Sequence, residues 1–532
     1  MAEILRISGT GITITSLTDL IAFMAGAGST FIAVRNFCIY TGVAVSFCYI
    51  NNVTFFAACL AINERRVEEN RHFMTCRRIK SKEELREEGK SKIYVVCCGG
   101  RAPKNRHEAE SLIDRLPRWL IPKIVLKLPM KILIIFLFMG YLVAAIYGCV
   151  NLKEGLLLTQ LVSDDSYFWK YSDWLEKYFK RQTVVSFVIP STYDYSSTST
   201  QTMVQNLISS AQSDTYFESS WEISWLKAYS ASSYYDNSTE SAFITGLSSF
   251  VADQQYSMFE NDVIIDAINQ KITASRFYVL STDLADSQEQ GKMMLRSRDI
   301  ASDVAIECFA YSPAFVAFEQ FVLILGQTLQ SVGIALAAVF VVTCIFMPHP
   351  VLILFVTIAV TMILVGVCGY ILFIDVTLSA ITMIHLIMSI GFSVDFTAHI
   401  CHGYMISESE TRSVRVKQAI EKIGSPIFHG AVSSLLGVII LFGAKSYIFR
   451  TFAAVMSFVL LFGSAHALLF LPVILSWIGP GRMIAVSDKV FDKDKGKNIT
   501  DVEMEEKQKQ ELHLNGVENG GFSNVAVYSE KS

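Results

Sequence analysis

The chain has 532 residues, 52% of them hydrophobic and only 18% charged, with a mean hydropathy of +0.40. A soluble domain carries nearer a quarter charged residues, so this composition excludes one and predicts a polytopic membrane protein. The net charge of −4 carries no information about partners, because the two signs segregate into particular loops.

Eight spans are predicted in chain order, near 12–28, 37–62, 132–150, 322–346, 351–374, 377–405, 427–444 and 452–477. Each is close to the ~20 apolar residues that cross a bilayer as a helix. Before the first stands one basic residue, Arg6, with no small-residue cleavage site after the run, so a cleaved signal peptide is not expected. Segment 64–131 holds eighteen Lys and Arg, among them Arg65, Arg66, Arg77, Arg78, Lys80 and Lys82. That excess makes the loop cytoplasmic, and its acids (Glu83, Glu84, Glu87, Glu88) do not alter this, since orientation is not a net-charge rule. Cys97 and Cys98 in the loop are read as ordinary thiols.

Orientation then propagates. The third span exits, which makes 151–320 extracytoplasmic; the loop 407–422, with Arg412, Arg415 and Lys417, is cytoplasmic again, as is the tail from 481 to 532. The 151–320 segment is long enough to be a domain. Within it, 183–189 and 276–280 read as strands, each followed by a helix-like stretch (201–212 and 286–308), the pattern of a small α/β or α+β unit. Asn237-Ser238-Thr239 is a glycosylation sequon on the outer side, so a glycoprotein is expected; Asn52 lies within a span and Asn498 in the tail, and neither is used. Cys308 has at most Cys149 for company, so the domain is not expected to depend on disulfides. The tail is polar and charged with little apolar periodicity, and is expected to be disordered.

The sixth run, 377–405, contains Ile390-Gly391-Phe392-Ser393-Val394-Asp395-Phe396-Thr397-Ala398-His399. An acid and a histidine one helical turn apart in a span are costly, and such groups by default mark an ion pathway or proton relay. On a helix, Ile384, Met388, Gly391, Asp395, His399 and His402 share one stripe. The stripe is small at Gly391, where a neighbouring helix can come close. Asp395 lies roughly half the hydrocarbon depth before Glu408, so the charge is mid-membrane. The i, i+4 spacing puts Asp395 and His399 within hydrogen-bond reach, and a proton shared between them would bias helix packing. Ser389 and Ser393 are auxiliary ligand candidates, although Ser393 points away from the stripe. His385 and His429 are single polar residues in spans and are read as structural.

The eleven cysteines form no CxxC, and no HExxH or GxxxxGK[ST] occurs, so no metal site, cofactor or ATP-driven pump is called for. The ectodomain shows no nucleophile–base spacing, and no enzyme is expected. The first and last pairs of spans resemble one another. Ile14-Thr15-Ser16-Leu17 matches Val432-Ser433-Ser434-Leu435, and Arg35-Asn36-Phe37 matches Arg450-Thr451-Phe452. Parallel repeats of this kind are a transporter feature with the working site between the halves. The first half lacks the ectodomain and four spans that the second half has, so the chain is expected to be an N-terminally truncated fragment.

The run Gly391-Phe392-Ser393-Val394-Asp395-Phe396-Thr397-Ala398-His399-Ile400 resembles the tenth-span signature of Patched-related proteins, particularly the nematode set, within the resistance-nodulation-division (RND) superfamily. Ile146 to Gly155 and Asp164-Asp165-Ser166-Tyr167 resemble that family's seventh-span exit, and Ile14-Thr15-Ser16-Leu17-Thr18-Asp19 the start of the fifth span of its sterol-sensing domain. The resemblance implies a polytopic α-helical fold in which the chain carries the fifth to twelfth of twelve spans, plus one α+β ferredoxin-like extracytoplasmic domain. The organisation becomes 1–63, end of the sterol-sensing domain; 64–131, basic loop; 132–150, single span; 151–320, ectodomain; 321–480, five-span bundle; 481–532, tail. It also implies ion- or proton-coupled transport of a sterol or another lipid through Asp395, His399 and Gly391, with a monovalent cation or proton as the coupling species. The acidic pair that would face Asp395 is expected to be absent with the missing fourth span. The competing reading is a non-transporting receptor or regulator of signalling or membrane trafficking, which binds lipid or a secreted protein ligand. Either belongs in a plasma or endosomal membrane and has no nucleic-acid partner.

Overall fold

A computed structural model describes residues 2–72, 77–100, 112–156, 158–266, 268–347, 349–407 and 409–481. The tail expected to be disordered, the side chains of Cys97 and Cys98, and Glu408 lie outside the described residues.

The chain opens on helix α1 (Ala2–Gly26), which turns back into α2 (Ile32–Glu68). After the basic loop, α3 (Leu112–Val125) leads into α4 (Leu128–Val150). The ectodomain follows, and then α9 (Phe315–Phe346), α10 (Pro350–Ile374), α11 (Ala380–Met405), α12 (Arg412–Gly443) and α13 (Tyr447–Ile478). Among the described residues seven helices are long and apolar enough to cross a membrane: α2, α4 and α9 to α13. The remaining expected span, the first in chain order (12–28), coincides with α1, which is less apolar because Thr13, Thr15, Thr18 and Asp19 interrupt it. Its 25 residues still reach ~37 Å at 1.5 Å each, more than the ~30 Å hydrocarbon depth. Thr13 and Thr18 return their hydroxyls to the carbonyls of Gly9 and Ile14 at 2.8 and 3.0 Å, so these polar groups are satisfied inside the helix.

Helix α11 is the centre of the bundle. Of its apolar window 72% is buried, against none of that of α2, and it packs against α1, α9, α10 and α13. Ser379 starts it with a capping box to Thr382, which satisfies orphan amides at the N-terminus. Met383, Ile387, Ile390 and Val394 then enter the same core as Val360 and Ile363 of α10.

The ectodomain contains α5 (Tyr167–Tyr178), β1 (Val184–Ile189), α6 (Thr198–Gln212), β2 (Phe217–Ile223), α7 (Glu240–Ala252), β3 (Val263–Asp266), β4 (Lys271–Ser281), α8 (Ser287–Asp303) and β5 (Phe309–Tyr311). Its sheet runs β2-β4-β1-β5, with β3 added as a hairpin on β4. All pairs are antiparallel, and Phe187 stands opposite Phe277. Setting β3 aside, this is the βαββαβ connectivity of a ferredoxin-like unit. The helix-like stretch 286–308 ends at Asp303, and Cys308 instead precedes the edge strand β5. Trp225 stacks on Phe277 at 5.8 Å, and the Tyr195 and Ser275 hydroxyls bond at 2.7 Å in the core.

Two joints tie this domain to the bundle. The first turns of α9 are ectodomain core, because Phe315, Phe318 and Phe321 are buried with Phe187 and Phe277, while the rest of α9 runs on into the bundle. The other joint is the chain leaving α4. Leu378 N–H donates to Lys153 O at 2.7 Å, and Gly155 N–H to Leu378 O at 3.0 Å. Ser163 bridges Ser446, Lys445 Nζ reaches Asp165 Oδ2 at 2.8 Å, and Arg450 grips Asp164 with both terminal nitrogens.

Candidate functional site

The neighbour that comes close at Gly391 is α1. A Cβ on Gly391 would lie 2.1 Å from Asp19 Oδ1, and one on Gly11 would lie 3.0 Å from His399 Cε1. Eight residues of α1 therefore match eight of α11 in antiparallel order, with the α1 carboxyl seated on the glycine. Asp395, one turn further along α11, interacts electrostatically with Asp19. The site thus contains a second acid from within this chain. Asp19 stood in the sequence as the last residue of the Ile14–Asp19 motif, but neither spacing nor periodicity connects it to Asp395, 376 positions further on.

Asp395 and His399 also open on a second side. They line a cavity of about 610 Å³ between α11, α12 and α13, together with apolar groups such as Phe392, Phe396, Ile427 and Phe452. That volume lies within the ~300–1,000 Å³ of small-molecule sites, and a mostly apolar wall with a few polar groups is their usual make-up. Gly430 and Gly437 of α12 face open space within it. A π-helical turn at Ile420–Gly424 offsets α12 just beside the cavity, with Ile423 contributing to the wall.

The hydrogen bond expected between Asp395 and His399 is not formed: Asp395 Oδ1 is buried without a partner among the described residues. The i, i+4 geometry brings the two side chains to one cavity without joining them. Ser389 and Ser393 are fully buried, and their hydroxyls donate to the carbonyls of His385 and Ser389 at 2.6 and 2.5 Å; neither lines the cavity. Ser393 Oγ is committed to its own helix, on the face away from the acids. His385 packs edge-on against Phe452. Among the described residues no group of three or more His, Cys, Asp or Glu is arranged to hold a metal ion. Asn237 is exposed, and Thr239 of its sequon caps α7 by accepting from Ala242 N–H.

Comparison with known proteins places this geometry. The family described as the sterol-sensing domain of SREBP cleavage-activation matches residues 1–80, which cover α1 and α2. NPC intracellular cholesterol transporter 1 of Sus scrofa is 27% identical over 91% of this chain. The sterol-sensing match is thus confined to the first two helices, while the similarity to the cholesterol transporter runs along most of the chain. Patched-related protein 9 of Caenorhabditis elegans is 27% identical over 89% of the chain. The chain spans 42% and 53% of the lengths of these two relatives. The structure of the hedgehog release protein Disp from the water bear Hypsibius dujardini shares the fold, with a TM-score of 0.63 at 15% identity, covering 90% of this chain and 59% of that one. This is a multi-pass helical membrane protein, similar along most of its length to a cholesterol transporter and to a Patched-related protein.

Proposed function

We propose that this protein moves a sterol or another lipid, with occupancy of the Asp19–Asp395 pair by a proton or monovalent cation as the driving event. The observation that carries the reading is the meeting of two acids from α1 and α11 at Gly391, with Asp395 and His399 also facing an apolar cavity of about 610 Å³. Two carboxylates close together in a low-dielectric setting cannot both stay charged without a proton or cation between them. Asp395 Oδ1, buried and unpartnered, is the atom that such a species would satisfy. Its arrival or departure changes the repulsion between α1 and α11, and so the packing around the cavity.

The motion has a route outward. Helix α9 packs on both α1 and α11 at one end and is part of the ectodomain core at the other. A shift between α1 and α11 is therefore felt by the ferredoxin-like domain, which takes the lipid from the cavity side. The protein acts in a plasma or endosomal membrane, performs no covalent chemistry, and the exposed ectodomain is where a secreted protein ligand would act.

The test is lipid flux in proteoliposomes, or rescue of a lipid-handling phenotype, with Asp395→Asn. Loss of flux with retained lipid binding supports coupling. Unchanged flux or rescue overturns it and favours a receptor that binds lipid without moving it.

A further inference from the structure

We propose that Cys149 and Cys368 are a disulfide-forming pair that staples α4 to α10 at the extracytoplasmic end of the bundle. The two helices run side by side in the same direction, and glycine lets their backbones touch. A Cβ on Gly148 would lie 2.1 Å from Gly369 O, and one on Gly369 would lie 1.9 Å from Ala145 O. Each cysteine is the chain neighbour of one of these glycines. Both are half-buried free thiols, and each is the other's principal electrostatic neighbour. The Cys149 thiol also lies 3.4 Å from Val365 O, one turn before Cys368. A disulfide requires Cα atoms about 4.4–6.8 Å apart, and the glycine contacts bring the two helix backbones together right beside these cysteines. Cys308, the companion that the sequence offered to Cys149, instead turns its thiol to Ala301 O at 3.4 Å within the ectodomain.

The compartment is also right. Cys149 is one residue from the end of α4, and the strand-like contact between Lys153–Gly155 and Leu378 lies just beyond. The basic loop 64–131 puts that end outside the cytoplasm, where disulfides persist. The oxidant is the disulfide of a secretory-pathway thiol oxidoreductase. One cysteine thiolate attacks it to give a mixed disulfide, and the other displaces the oxidoreductase, which leaves as its dithiol. Two thiols are oxidised, one disulfide is reduced, and the two protons pass to the departing thiolates. The product pins the outer half of α10, which turns directly into α11 through Asp375 at φ 53°. This inference does not depend on the transport reading.

The experiment uses the full chain made in eukaryotic secretory membranes, alkylated with a maleimide before lysis, digested without reductant and mapped by mass spectrometry. The expected result is a Cys149–Cys368 linked peptide that disappears on reduction, with the exposed Cys344 alkylated as a control. In Cys149→Ala, Cys368 becomes available to the reagent, and the linked peptide is lost. Alkylation of both cysteines in the unreduced wild-type protein would overturn the proposal, as would a Cys149–Cys308 linked peptide.

Discussion

The Asp19 carboxyl lies where a Gly391 side chain would begin: a Cβ there would be 2.1 Å from Asp19 Oδ1 and 3.4 Å from its Cα. The glycine is what allows the acid of one helix to sit against the backbone of another, one turn from Asp395. If the two acids work as a unit, their losses will not add. Asp19→Asn and Asp395→Asn should each lower flux at least tenfold, and the double variant should be no worse than either. Gly391→Ala should mimic the loss by displacing Asp19. Multiplicative losses in the double variant would mean that the two acids act separately.

The cavity admits a steric test that leaves the acids alone. A Cβ on Gly430 or Gly437 would meet nothing within 4 Å, and both glycines line the cavity. Replacing glycine inside a helix stabilises by roughly 0.5–1 kcal/mol where the site is compatible. Gly437→Phe should therefore fold at least as well as the wild type while filling the space. Binding of a photoreactive sterol or fatty-acid probe should fall several-fold, with thermal stability unchanged. Undiminished labelling would place the lipid elsewhere.

Much of this architecture was legible in the sequence because a membrane leaves few choices. A helix must satisfy its own backbone in lipid, so long apolar runs mark the spans, while their orientation rests on the eighteen Lys and Arg of 64–131 alone. Asp395, His399 and Gly391 were found because charge and glycine are rare in such runs. Asp19 was part of a recognised motif, yet its role needed the packing of α1 on α11, which no local pattern encodes. The ectodomain was half legible. Runs of β-branched and aromatic residues marked β1 and part of β4, but β3 and β5 have four and three residues, too short to show a pattern. β2 is an edge strand whose four polar residues, Glu218, Ser219, Ser220 and Glu222, break up its apolar pattern. Arg415 stands in the sequence only as one of the basic residues of the loop 407–422, and nothing local announces its burial.

Arg415 is fully buried. Its guanidinium donates to the carbonyls of Pro480, Gly481 and Tyr404 at 2.8, 2.7 and 3.1 Å, and lies 4.3 Å from the Tyr404 ring centre. The Tyr404 hydroxyl donates to Pro480 O as well, so the end of α13 is locked to the end of α11. Hydrogen bonds to a charged group contribute about 1.5–3 kcal/mol each. Arg415→Ala should cost about 3 kcal/mol or more, read as a large drop in thermal stability in detergent. Arg415→Lys should recover only part, because a single ammonium cannot reproduce the planar fork. A variant as stable as wild type would show that the clamp is idle.

The outer clamp should resist endosomal acidity. Asp165 is held down at about 2, below the ordinary 3.8, by its bond from Lys445 and then by the Ser163 hydroxyl. A carboxyl with a lowered folded-state value stabilises above its unfolded value and loses that contribution as the pH falls through the folded one. The Asp165–Lys445 contact is thus intact from neutral pH to about pH 4 and is lost only as the pH approaches 2. The adjacent Asp164–Arg450 pair is bidentate but partly exposed, at 41% and 35% of the side chains, so solvent limits its worth to about 1 kcal/mol. Hydrogen exchange of the amides at 163–166 should accordingly be the same at pH 7 and pH 5 once corrected for intrinsic rates. Lys445→Ala together with Arg450→Ala should raise it at both. Deprotection in the wild type between pH 7 and pH 5 would show that a different, histidine-range group governs this joint.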